Sequence, residues 1–184
     1  DVTLRNNAGG ENGGAISAVN SRDGTLFATR STFQENRASE YGGAIYNSGV
    51  PMTMTHAFFY TNTTAYGGGG AIYVTSAPTV LDDLDFSGNT ASVESYGGAV
   101  YTQWGSLVAS NATFRRNNAE FDGGAIRASY TDVNVAHSTF QLNSAGRGGA
   151  IRAYYSPITV THSAFYTNTA TSGRGGGIDG LVSK

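Results

Sequence analysis

The sequence predicts an all-β fold, a right-handed parallel β-helix (solenoid) of about seven coils of 25–29 residues, as one domain over residues 1–184. Three observations predict it: a phrase that returns seven times, strand-like alternation inside each return, and a glycine pair at a constant place. The phrase is anchored on Leu4, Phe33, Phe59, Phe86, Phe114, Phe140 and Phe165, spaced 29, 26, 27, 28, 26 and 25 residues apart. A period of that size marks a solenoid. Stretches such as "MTMT" (52–55), "VNVA" (133–136) and "ITVT" (158–161) alternate with period two and carry β-branched residues. No segment sustains an apolar i, i+3, i+4, i+7 stripe over three helical turns. Leu is too sparse for leucine-rich repeats. Three short strands and three turns fit one coil, and seven rungs about 4.8 Å apart give a rod roughly 34 Å long.

Each element of the phrase has a physical reason. An aromatic residue at one place per coil stacks on its counterpart in the next rung. Three positions on, every unit carries Asn: Asn7, Asn36, Asn62, Asn89, Asn117, Asn143 and Asn168. Side-chain amides at one bend in every coil form a ladder, each donating to the next. The glycine pairs, 14 of the 26 glycines, mark a corner that needs positive φ or close backbone approach. From glycine pair to the next Phe the distance is 17 residues five times running, and the first unit is three longer through "SRDG" (21–24). Length otherwise varies between Asn and glycine pair, so that segment reads as a loop. One coil buries too little apolar surface to offset the ordering of its chain, so coils are stable only when stacked.

Composition narrows the function. Charged residues are only 13%, the formal net charge is −2, and ten of the eleven basic residues are Arg, Lys184 being the one Lys. Nothing here makes a basic stripe, and no nucleic-acid partner is expected. There is no Cys, which removes disulfides, zinc thiolates and thiol catalysis. No apolar run approaches the roughly 20 residues of a membrane helix, so direct membrane insertion is not expected. No cofactor and no metal are expected either.

"GGAI" paired with "FxxN", as in "FQENRASEYGGAIY" and "FRRNNAEFDGGAIR", resembles the repeat of the polymorphic outer-membrane proteins of chlamydial type. The resemblance spans essentially the whole chain. It implies a right-handed β-helix displayed outside the cell, often as an autotransporter passenger acting in adhesion. The chain departs from that family in lacking cysteines and a C-terminal membrane barrel, and is expected to be a fragment or mature portion of a longer array.

Residues at equal offsets from the glycine pair form columns along the rod. One column holds all three histidines: Arg30, His56, Asp83, Asn111, His137 and His162. It reads as a corner whose residues tolerate turn geometry and hydrogen-bond their neighbours, because a closed metal site needs more ligands of better type. In "LDDLDF" (81–86), alternation places Asp83 and Asp85 on one side and Asp82 on the other, without the paired acids that glycoside hydrolysis needs. Aromatic and Arg columns, Tyr46, Tyr73, Tyr101, Arg127 and Arg152, then Trp104, Tyr130 and Tyr155, form a candidate face for a glycan or partner protein. Self-stacking of like side chains is the competing account of these columns. Thr columns suited to ice binding are interrupted. Sequons occur at Asn62, within the ladder, and at Asn111, on the exposed corner and so the candidate N-glycosylation site. No capping helix fits either end, which predicts removed flanking coils or head-to-tail self-association into filaments. The reading is a non-enzymatic extracellular or cell-surface β-solenoid, an adhesin or structural filament, contacting a surface glycan or protein. Ice binding and polysaccharide lyase or hydrolase activity are the alternatives.

Overall fold

A computed structural model describes residues 1–19 and 24–181; the extra residues 21–23 of the first coil and Lys184 lie outside it. The described chain is a parallel β-solenoid of about seven turns with no helix. Three parallel sheets run along it. The first holds one strand after each glycine pair: Ile16–Val19, Ile45–Ser48, Ile72–Thr75, Val100–Gln103, Ile126–Ser129, Ile151–Tyr154 and Ile178–Leu181. The second, larger sheet holds the longest strands, Met52–Tyr60 and Pro78–Ser87, and their counterparts. A third sheet of two- to six-residue strands fills the segment read as a loop, from Arg37–Ala38 to Thr169–Arg174. That segment is held in register because bridges join Tyr41, Gly68, Tyr96, Asp122 and Arg147 coil to coil.

Register follows the phrase. Phe33, Phe59, Phe86, Phe114, Phe140 and Phe165 pair in sequence, with ring centroids 4.6–4.8 Å apart and planes within 11°. Beside them run Ile45, Ile72, Val100, Ile126 and Ile151, all fully buried.

The ladder Asn saturate their amides. In Asn89, Nδ2 donates to Asn117 Oδ1 (3.0 Å) and to the Phe59 carbonyl (2.9 Å). Its Oδ1 accepts from the backbone N–H and Nδ2 of Asn62, both at 3.0 Å. Two donors and two lone pairs are thereby used with no water.

The two glycines of each pair answer to different constraints. The first has φ between 48° and 66° in all seven pairs, a region that favours glycine. The second is constrained by its neighbour: a Cβ on Gly98 would lie 2.2 Å from the Gly124 carbonyl oxygen, and the same contact recurs between successive coils.

Other corners turn on single left-handed residues, and these are seldom glycine. Among the described residues, one recurs seven positions after the first glycine of the pair (Gly49, Ser76, Trp104, Tyr130, Tyr155). A second comes fourteen after it (His56, Asp83, Asn111, His137, His162, and Arg30 at seventeen because the first coil is three longer), and a third just before the ladder Asn. A single left-handed residue resets the in–out alternation, so Leu81 and Leu84 on either side of Asp83 both face the core.

Candidate functional site

The reset at Asp83 corrects the expected disposition of the acidic cluster. Asp82 and Asp85 are both partly exposed on the outside of the second sheet, flanking the bend, rather than lying on opposite sides. Along this bend runs a groove of about 630 Å³. The left-handed residues Arg30, His56, Asp83 and Asn111 make one wall, and Thr32, Phe58, Asp85 and Thr113 make the other.

Most charges in the groove are paired. Arg30 Nε lies 3.2 Å from Asp1 Oδ1, and His56 Nε2 lies 3.3 Å from Asp83 Oδ2. Asp82 does not line the groove: its Oδ1 accepts from Ser110 Oγ (2.6 Å) and Asn111 Nδ2 (2.9 Å), and these bonds hold its carboxyl below the ordinary range. Asp85 Oδ1 is buried and has no hydrogen-bond partner. Phe58 beside it is exposed and stacked on Tyr60, with centroids 5.8 Å apart.

Burial raises the Asp85 carboxyl above its ordinary value, with Arg115 opposing. Its ionisation therefore works against folding. The favourable, protonated condition is complete below the ordinary value of about 3.9 and is lost as pH rises through the elevated one. Asp85→Asn is expected to melt higher than the parent at pH 7 and at the same temperature at pH 3. Circular-dichroism melts check both.

The histidines share one corner column, and of the three only His56 lines the groove. His137 and His162 stack with centroids 4.8 Å apart, while His56 pairs with Asp83. Among the described residues no three His, Asp or Glu converge. Thr53 and Thr55 share their outward columns with Val80, Asp82, Val108, Ser110, Asn134 and Ala136, so no unbroken Thr array forms.

The candidate aromatic and Arg face divides in two. Tyr46 is half-buried, whereas Tyr73, Tyr101, Arg127 and Arg152 are buried beneath the neighbouring segment, which removes them from an outward contact face. The reason is a second column lying against the first. Tyr41 packs on Tyr73 (4.5 Å) and Tyr96 on Tyr101 (5.7 Å). Asp122, 1% exposed, accepts from Arg147 Nε (2.7 Å) and Nη2 (3.2 Å), and Arg127 Nη2 and Arg152 Nε lie 3.7 and 4.0 Å from it. Arg152 Nη1 sits 2.7 Å from Asp179 Oδ2, an ion pair whose angle lies outside hydrogen-bond geometry. The Arg127 guanidinium lies between the Tyr96 and Tyr154 rings, 5.6 and 5.0 Å from their centroids. Burial lowers the pKa of Arg127, and Asp122 partly opposes this. Sequence reasoning missed this lid because its columns were counted forward from the glycine pair, whereas Tyr41, Tyr96 and Asp122 each stand one residue before it, in a column of mixed residue types.

Trp104, Tyr130 and Tyr155 stay outside, at 59%, 49% and 37% exposure, and stack on one another with centroids 6.2 and 5.4 Å apart. Of the two sequons, Asn62 is fully buried in the ladder and Asn111 is exposed. In a host that glycosylates secreted protein, we expect modification at Asn111 and none at Asn62. Peptide mass spectrometry that finds Asn111 unmodified refutes it.

Two stretches, residues 30–48 and 83–103, match the Chlamydia polymorphic membrane protein repeat. Each runs from a left-handed corner through the Phe and ladder Asn to the end of a first-sheet strand. The Escherichia coli K12 protein described as the probable autotransporter YfaL is 38% identical over 135 residues, covering 62% of this chain. This chain spans 11% of that relative's length. No solved structure matches it.

Proposed function

The chain carries the polymorphic membrane protein repeat, and on that premise we propose that it is a non-enzymatic β-solenoid displayed outside the cell that acts in adhesion. Similarity to an autotransporter supports the location. The observation that carries the contact role is the groove at the bend, where the partly exposed Asp85 carboxylate lies beside an exposed Phe58 ring. A carboxylate lining a groove accepts a hydrogen bond from a ligand hydroxyl, and an aromatic face takes the C–H face of a sugar ring. Both needs are met by a surface glycan. Binding is favoured over hydrolysis because the other acids lining the groove are paired, Asp83 with His56 and Asp1 with Arg30, and Asp82 lies outside it with Oδ1 already occupied.

The test is a glycan array probed with the parent chain, Phe58→Ala and Asp85→Asn. Each substitution is expected to weaken capture at least tenfold, although Asp85→Asn melts higher at pH 7. Improved stability with lost binding is the mark of a strained functional residue. No capture by the parent, or undiminished capture by both variants, overturns the reading. Release of reducing ends from a bound polysaccharide overturns its non-enzymatic part.

A further inference from the structure

The exposed corner stack ends in a particular way. Gly49, Ser76, Trp104, Tyr130 and Tyr155 occupy one column, each left-handed, with φ between 47° and 74°. Neighbouring coils join at this corner: Ser76 N–H donates to the Gln103 carbonyl (2.9 Å), and Trp104 N–H to that of Ser129 (3.1 Å). Tyr130 has both faces covered, by Trp104 and Tyr155. Trp104 is covered on one face only. The next position, about 4.8 Å along the axis, belongs to Ser76, whose side chain is too short to reach across an indole.

A bulky residue in left-handed conformation is strained. Stacking on a neighbouring ring offsets that strain, pair by pair. Tyr130 recovers this on two faces and Trp104 on one, so the strain is least compensated where the largest ring is most exposed. Strain of that kind is a pointer to a binding role. Ser or Gly, as at 76 and 49, would fill the same corner without an open apolar face.

We propose that the free face of Trp104, above Ser76, is a slot for one pyranose ring, which continues the aromatic stack. The surroundings favour a sugar over an apolar or aromatic side chain. The slot is edged by the Thr75 and Ser76 hydroxyls, 3.5 Å apart, and by the Gln103 side chain, already donating to the Tyr101 hydroxyl. A ring with C–H groups on one face and hydroxyls at its rim matches an indole with a polar edge. This slot lies at a different corner from the bend groove and does not depend on it.

Trp104 is the single Trp in the chain, so its emission reports the slot directly. The titrants are hexasaccharides of glucose, mannose and N-acetylglucosamine, added to the parent protein. At least one is expected to give a saturable shift in emission. Ser76→Tyr places in the slot the side chain that the same corner already holds at 130 and 155. It is expected to raise the melting temperature and weaken sugar binding at least tenfold. Trp104→Ser reproduces the corner residue found at 76, and calorimetry with Asp85→Asn as the common background, which silences the groove, is expected to show binding at least tenfold weaker. Asp85→Asn leaves the Trp104 titration unchanged, which separates the slot from the groove. No emission change with any hexasaccharide overturns the proposal, as does unaltered binding in Ser76→Tyr and Trp104→Ser. A shift produced by a Tyr-bearing peptide and by none of the sugars also overturns it.

Discussion

Asn89→Ala is expected to destabilise the solenoid by roughly 4 kcal/mol. The substitution strips Asn62 of the acceptor that its backbone N–H and Nδ2 share, and takes a donor from the Phe59 carbonyl. All of these groups are buried, and a buried polar group left unpaired costs about 1–3 kcal/mol. Asn7→Ala is the internal control. Asn7 is half-buried and only donates, to Asn36 Oδ1, so its loss abandons no neighbouring donor and is expected to cost about 1 kcal/mol or less. Urea unfolding of the two variants against the parent measures the difference. Equal losses at both positions mean that the ladder is not stabilised by amide saturation.

Gly98→Ala is expected to be at least as damaging, at roughly 4 kcal/mol or more. The added carbon meets the Gly124 carbonyl oxygen at 2.2 Å and the Asn118 carbonyl oxygen at 2.5 Å, and both belong to backbone that cannot swing aside. Relief requires two coils to separate, which breaks pairing along the stack. Gly88→Ala separates this clash from backbone conformation. Gly88 has φ of 66°, but a Cβ there meets only Thr61 Cγ2 at 3.5 Å, so the expected loss is the left-handed penalty of roughly 1–2 kcal/mol. Thermal melts that rank Gly88→Ala above Gly98→Ala in damage overturn the packing account.

The difference between the glycines shows how far residue identity reaches. "GGAI" marks a corner, and its recurrence sets the rung. Only the stacked coils reveal that the first glycine serves φ and the second serves the approach of the next coil. Trp104, Tyr130, Tyr155 and Leu142 show the reverse case. They adopt left-handed conformations although nothing in their chemistry favours them. Position in the repeat carried that signal and residue type concealed it.

What the sequence determined by itself was the periodic part: seven coils, the Phe and Asn columns, and the strands between them. These features repeat at fixed offsets, and parallel stacking in register brings equal offsets together. The tertiary structure alone decided which outward residues are open. Tyr73, Tyr101, Arg127 and Arg152 face away from the core yet are covered by the end of the variable segment, where the residue before each glycine pair, of mixed type, folds back over them. Asp82 and Asp85 share the outside because one left-handed residue between them shifts the alternation by one. Burial in a solenoid depends on where the neighbouring segment of the same coil folds back, and a column count along the rod has no access to that lateral packing.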